Sequence, residues 1–172
     1  MLDILRKRRS IRRYQNREIE PRIIELLREA ALRSPSSRGI NPWSFFFVTN
    51  KDLLEKLSRS KEHGSDFLRG AALGVVVCAD SRETDVWIED CSIASIILQL
   101  TGCSLGLGSC WIQIRNRMYN QERSAEDYVR ETLNLLEYMK VESIVSFGYP
   151  DEVKEPVGKE LLDWGRAPTV DR

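Results

Sequence analysis

Between Asp85 and Leu105 the chain stays apolar for longer than any strand needs. Read as a helix, the stretch carries Val86, Trp87, Ile88, Cys91, Ile93, Ala94, Ile96, Ile97, Leu98, Leu100, Cys103 and Leu105. From Cys91 onward Gln99 is its only long polar side chain, so apolar atoms cover nearly the whole circumference. A helix of that kind is buried on all sides. Crossing a membrane takes about 20 apolar residues, whereas this run opens on Glu89 and Asp90 and dissolves at Gly102 and Gly106. It reads as the central core helix of a soluble protein. A chain this small struggles to wrap such a helix alone, so a second subunit is expected against it.

The 172 residues suit one domain, residues 1–172, able to hide roughly 70% of its unfolded surface. With 26 basic and 26 acidic residues the net charge argues against a general nucleic-acid or membrane binder. Met1 to Lys7 is too short and too charged for a secretory signal, and a cytoplasmic location is expected. Cys78, Cys91, Cys103 and Cys110 sit in apolar company, without a CxxC pair and far from the single His63. They read as small buried hydrophobes, with no metal site expected. One histidine without an evident partner also leaves Ser-His-Asp and Cys-His catalysis unsupported.

Taken in order, Leu2 to Arg8 reads as a short helix running into the basic cluster Lys7 to Tyr14. Ser10, Ile11 and Tyr14 interrupt that cluster. Several guanidinium forks could therefore converge on one anion while Ile11 and Tyr14 anchor the backbone. Glu18 to Ser34 reads as an amphipathic helix with Pro21 at its first position, ended by Ser34-Pro35. The loop Pro35 to Trp43 follows, rich in hydroxyls and free amides and pinned by two prolines. Buried strands are expected at Ser44–Asn50, Leu73–Ala79, Ser109–Ile114 and Glu142–Tyr149. A short helix is expected at Asp52–Leu57, and a capping box at Ser124 and Asp127 starts a helix through Leu136. Lys61 to Gly70, with its Gly64-Ser65 pair, reads as flexible. Gly106-Leu107-Gly108 leaves a helix instead of opening one, against a dinucleotide fingerprint. From Asp151 the chain is polar and lies across another surface. Without a regular βαβ rhythm, the class is α+β.

Four stretches taken together resemble the FMN-dependent nitroreductase family. They are Arg8-Arg9-Ser10-Ile11-Arg12-Arg13-Tyr14; Pro35-Ser36-Ser37 with Asn41-Pro42-Trp43 and Phe45; Leu105 to Ile112; and Phe147-Gly148-Tyr149-Pro150. The resemblance implies a mainly antiparallel central sheet flanked by helices, in a homodimer whose C-terminal tail is swapped to the partner. FMN would lie at the dimer interface. Arg8, Arg9 and Ser10 would hold its phosphate and ribityl end with Lys159, and Arg12 would reach the pyrimidine edge. Pro35, Ser36, Ser37, Gly39 and Asn41 would contribute from the partner chain, and the backbone around Ile112 and Gln113 would approach flavin N5. Many members carry Asn where Gly39 stands and Gln where Asn41 stands, which leaves backbone contacts from this loop. Ser65 and Arg69 fall only roughly where members place an Asn and a Lys.

The resemblance further implies an oxidoreductase. The cofactor carries the electron chemistry while the protein supplies position and charge. A hydride from NADH or NADPH would pass through flavin N5 to an electron-poor acceptor, a nitroaromatic or quinone, with ping-pong kinetics and Arg12 as electrostatic support. The short chain leaves little room for an inserted lid, so a broad substrate range is expected. The alternatives are a related flavin enzyme for reductive dehalogenation or flavin oxidation, and a non-catalytic FMN-binding electron relay.

Overall fold

Strand β2 (Leu73–Asp80) shows how the layers are built. Val75 and Val77 enter one apolar cluster with Leu27, Ala31, Ala94, Leu98 and Phe147, while Val76 and Cys78 enter another with Leu54, Leu57, Ile112, Val129 and Ile144. A strand covered on both faces is continuously apolar instead of alternating, which is why this run shows no period of two. A computed structural model describes residues 1–170; the last two residues of the expected domain, Asp171 and Arg172, lie outside them.

One antiparallel sheet has the order β1-β2-β4-β3, with β1 Trp43–Val48, β3 Gly108–Gln113 and β4 Met139–Gly148. Phe46 pairs with Val76, Val76 with Ile144, and Ile112 with Ile144. Helices α2 (Pro21–Leu32) and α4 (Trp87–Ser104) cover one face; α3 (Lys51–Ser58) and α5 (Ala125–Thr132) cover the other. The α+β expectation and the antiparallel sheet hold. Helix α1 (Leu2–Lys7) packs on α4.

Helix α4 turns Cys91, Ala94, Ser95, Leu98 and Gly102 inward. A Cβ on Gly102 would stand 2.7 Å from the Phe147 ring, so this helix needs glycine there to lie close to β4. Its other side is open within one chain: Ile93 is 40% and Ile96 38% exposed, and Ile97 and Leu100 line a shallow groove with Met1 and Ile4. The apolar circumference is therefore half covered by this chain.

Three expectations change. Lys61 to Gly70 is anchored at two points: Ser65 is buried with its Oγ donating to the Ser58 carbonyl at 2.6 Å, and Leu68 is buried in a 3₁₀ turn, Asp66–Gly70. The helix begun at Ser124 ends at Thr132 instead of Leu136, because the chain turns left-handed at Asn134. The cysteines are free, and Cys78, Cys91 and Cys110 are buried, whereas Cys103 is half-exposed. The segment after β4 has no core of its own: Val153 is 91% exposed, and Leu161 and Trp164 are exposed as well.

Candidate functional site

The basic arm leaves α1 at Arg8 and runs along the free edge of β3. Ile11 N–H donates to the Ser109 carbonyl at 3.0 Å, and Ser10 forms a parallel bridge with Ser109. Ile11 fills the space over Gly108, where a Cβ would come within 2.8 Å of it. Tyr14 packs its ring against Gly148, donates its hydroxyl to the Ile11 carbonyl at 2.6 Å and meets Ser146 Oγ at 2.7 Å. Ile11 and Tyr14 thus anchor the backbone as their place among the arginines suggested.

The segment after β4 clamps the arm from the other side. Glu152 Oε1 accepts from the Arg12 and Arg13 amides at 2.5 and 3.2 Å, which holds this carboxyl below the usual carboxylate range. Lys154 Nζ donates to the Ser10 carbonyl at 2.6 Å and stands 3.4 Å from Glu152. Arg9 Nε donates to the Glu155 carbonyl at 2.7 Å.

This lacing leaves a cleft of about 310 Å³ lined by Lys7, Arg8, Arg9, Lys154, Glu152, Cys103 and the backbone of Gly106 to Ser109. Four cations face one carboxylate. Lys7 and Arg8 are in no ion pair among the described residues. Gly106 is left-handed at φ +81°, with open space where a side chain would stand. The buried Cys110 thiol beneath registers the same field: burial pushes its pKa up, and the charges of Arg12, Lys154 and Arg8 oppose that push. Free guanidinium and ammonium groups around an open glycine turn fit a phosphate.

Further along, β3 remains the outer strand. Ser109 turns its carbonyl to Ile11, so strand alternation turns the main chain of Trp111 and Gln113 to the same open edge. Ile112 faces the other way, paired with Ile144 and fully buried. Of the expected pair, Gln113 therefore presents its backbone outward. Its side chain is fixed, accepting from Trp111 Nε1 at 2.9 Å and donating to the Arg115 carbonyl at 2.9 Å. The Arg12 guanidinium is exposed, 5.7 Å from the centre of the Phe67 ring.

The loop after α2 is tightly built. Ser36 Oγ donates to Asn41 Oδ1 at 2.7 Å and accepts from the Asn41 amide at 2.8 Å, so the Asn41 side chain is spent inside the loop. Arg38, Gly39 and Asn41 all adopt positive φ. The Ser37 amide donates to Asp90 Oδ1 at 2.8 Å, tying the loop to the first turns of α4. Cys103, at the opposite end of that helix, lines the cationic cleft. Asp90 and Cys103 are separated by about 20 Å of helix at 1.5 Å per residue. One chain therefore does not bring Pro35, Ser36, Ser37, Gly39 and Asn41 together with Arg8, Arg9 and Ser10. Lys159 lies in the tail, its Nζ 5.6 Å from the centre of the Trp164 ring and apart from the residues lining the cleft. Lys154, Glu152, Cys103 and Gly106 line the cleft without having been singled out as site residues. The only sequence signal for Lys154 is its place in the polar segment just beyond Gly148-Tyr149-Pro150.

Comparison with known proteins identifies relatives of the whole chain. The sequence model of the nitroreductase family matches residues 5–61 and 57–149. Two archaeal relatives, both provisionally named NADH dehydrogenase/NAD(P)H nitroreductase, align over most of their length. The protein of Methanothermobacter thermautotrophicus is 34% identical over 95% of this chain and 83% of its own. That of Archaeoglobus fulgidus is 36% identical over 90% and 87%. A solved FMN-dependent nitroreductase of Clostridium difficile R20291 superposes with a TM-score of 0.97 at 43% identity, covering 100% of both chains.

Proposed function

The chain belongs to the nitroreductase family, and we propose that it is an FMN-dependent oxidoreductase in which Arg8, Arg9, Ser10 and Lys154 hold the cofactor phosphate. The observation that carries this reading is the cationic cleft, whose Lys7 and Arg8 are unpaired among the described residues, at the glycine turn leading into β3. The residues present fit FMN: cations for its phosphate at one end, and an open strand edge at the other along which a flat ring can lie. The chemistry that FMN supplies there is two-electron transfer, from NADH or NADPH to an electron-poor acceptor such as a nitroaromatic or quinone, in ping-pong fashion.

This chain's own residues supply position and charge. Arg12 would supply a fixed positive charge at the pyrimidine edge, where negative charge would develop on reduction. Gln113 offers its outward main chain, with Ile112 locking the strand behind it. Pro35, Ser36, Ser37 and Gly39 reach the ring from the partner chain of a homodimer, and Asn41 keeps that loop in shape. Lys159 joins the phosphate from the tail, which crosses between subunits. Two observations support the dimer: the open apolar side of α4 and the separation of loop from arm within one chain. No helix among the described residues is long and apolar enough to cross a membrane, which is compatible with the cytoplasmic location we assign.

Initial rates with nucleotide and acceptor varied together test the scheme. Parallel double-reciprocal lines are expected. Intersecting lines would place both substrates on the enzyme at once and contradict it.

A further inference from the structure

We propose that Asp90 is a positioning residue: it fixes the Pro35–Asn41 loop of its own chain in the shape that contacts the flavin bound by the partner chain's arm. The inference rests on the two-chain site described above and adds to it a residue remote from the cofactor.

Three observations carry it. Asp90 is 3% exposed in the first turns of α4, and one carboxylate oxygen accepts the Ser37 amide at 2.8 Å. Its other oxygen, Oδ2, is buried with no hydrogen-bond partner among the described residues. Burying that oxygen unpaired is unfavourable, and the bond from the Ser37 amide to Oδ1 offsets that cost. The third observation is the shape being held. Arg38 at φ +55° and Asn41 at φ +57° are left-handed without being glycine, on either side of Gly39 at φ +67°. Such a conformation costs free energy at each non-glycine position and persists only where the surroundings impose it. Two braces impose it here: the Ser36–Asn41 pair within the loop, and Asp90 from outside. Arg38 adds only a long contact with the exposed Asp85, at 3.8 Å.

The Asp90 brace acts on the segment that presents Ser36 and Ser37. With the brace removed, the loop relaxes toward ordinary backbone angles and its hydroxyls and amides leave the positions that meet the ring. Asn at position 90 retains an acceptor for the Ser37 amide; Ala does not.

The test is FMN binding by mixed dimers, read as affinity and as sites per dimer. Asp90→Ala and Arg8→Ala homodimers should each bind FMN at least tenfold more weakly than the native protein, and Asp90→Asn within about threefold of it. When the two weak variants are unfolded together and refolded, the heterodimer pairs an intact arm from the Asp90→Ala chain with an intact loop from the Arg8→Ala chain. One native-affinity site should return in each heterodimer. Sedimentation checks that every species is dimeric. Native affinity in Asp90→Ala would overturn the inference and leave the FMN reading standing. A weakened Asp90→Ala without recovery in the heterodimer would overturn the cross-chain role, because each of the two sites would then carry one lesion. An Asp90→Asn protein as weak as Asp90→Ala would contradict positioning through the Ser37 amide. A native protein that binds no FMN would remove the reading itself, and the inference with it.

Discussion

Ile11 occupies the space in which Gly108 would carry a side chain: a Cβ on that glycine would come within 2.8 Å of Ile11 Cβ and Cγ2. The arm that bears Arg8, Arg9 and Ser10 can lie along β3 only because position 108 is empty. Gly108→Ala should push the arm off the strand edge, lowering FMN affinity at least tenfold and the melting temperature with it. Gly106→Ala meets no atom within 4 Å and should cost only about 1 kcal/mol, the penalty for a left-handed backbone. Isothermal titration with FMN and thermal melts of both variants measure the contrast.

Tyr14 is the second anchor. Its hydroxyl donates to the Ile11 carbonyl and pairs with Ser146 Oγ in a half-buried setting. Tyr14→Phe keeps the ring against Gly148 and removes both bonds, a loss of about 1–2 kcal/mol in urea unfolding at neutral pH.

Glu152 gives the arm a dependence on pH. The Arg12 and Arg13 amides and Lys154 favour its charged form, so its folded pKa lies below the ordinary value of 4.5. A carboxylate shifted downward contributes stability above its unfolded pKa and loses it as the pH falls through the folded one. Glu152→Gln should therefore be less stable than the native protein at pH 7, with the gap closing toward pH 3. Urea titrations at the two pH values read it. A gap that widens in acid would reverse the assignment.

Ile93 and Ile96 face outward from α4, on the side that this chain leaves open. Ile96→Glu should convert the dimer to monomer in sedimentation velocity. It should also weaken FMN binding, because each site then lacks the partner's loop. A dimeric Ile96→Glu protein would place the interface elsewhere.

Much of this was legible in the sequence, for identifiable reasons. The circumference of α4 is apolar on the side that meets Phe147 and the sheet and also on the side this chain leaves open, so no period could show in it. The Ser124 cap formed as read, its Oγ accepting from the Asp127 amide at 3.0 Å. Ile11 and Tyr14 betrayed their anchoring role by interrupting a run of arginines. What stayed hidden depends on contacts that leave no local pattern. Lys154 reaches Ser10 across 144 residues of sequence, and Asp90 holds Ser37 across 53. The segment around Gly64 and Ser65 looked flexible because of that glycine–serine pair, yet Ser65 spends its hydroxyl on Ser58 and is buried.

The most direct measurement is the visible spectrum of the purified protein with FMN added, recorded anaerobically before and after NADH and then NADPH. Bound-flavin bands that bleach with a nucleotide and return with a nitroaromatic or quinone are the expected result. A protein that binds no FMN, or that holds it unbleached by either nucleotide, would contradict the central claim.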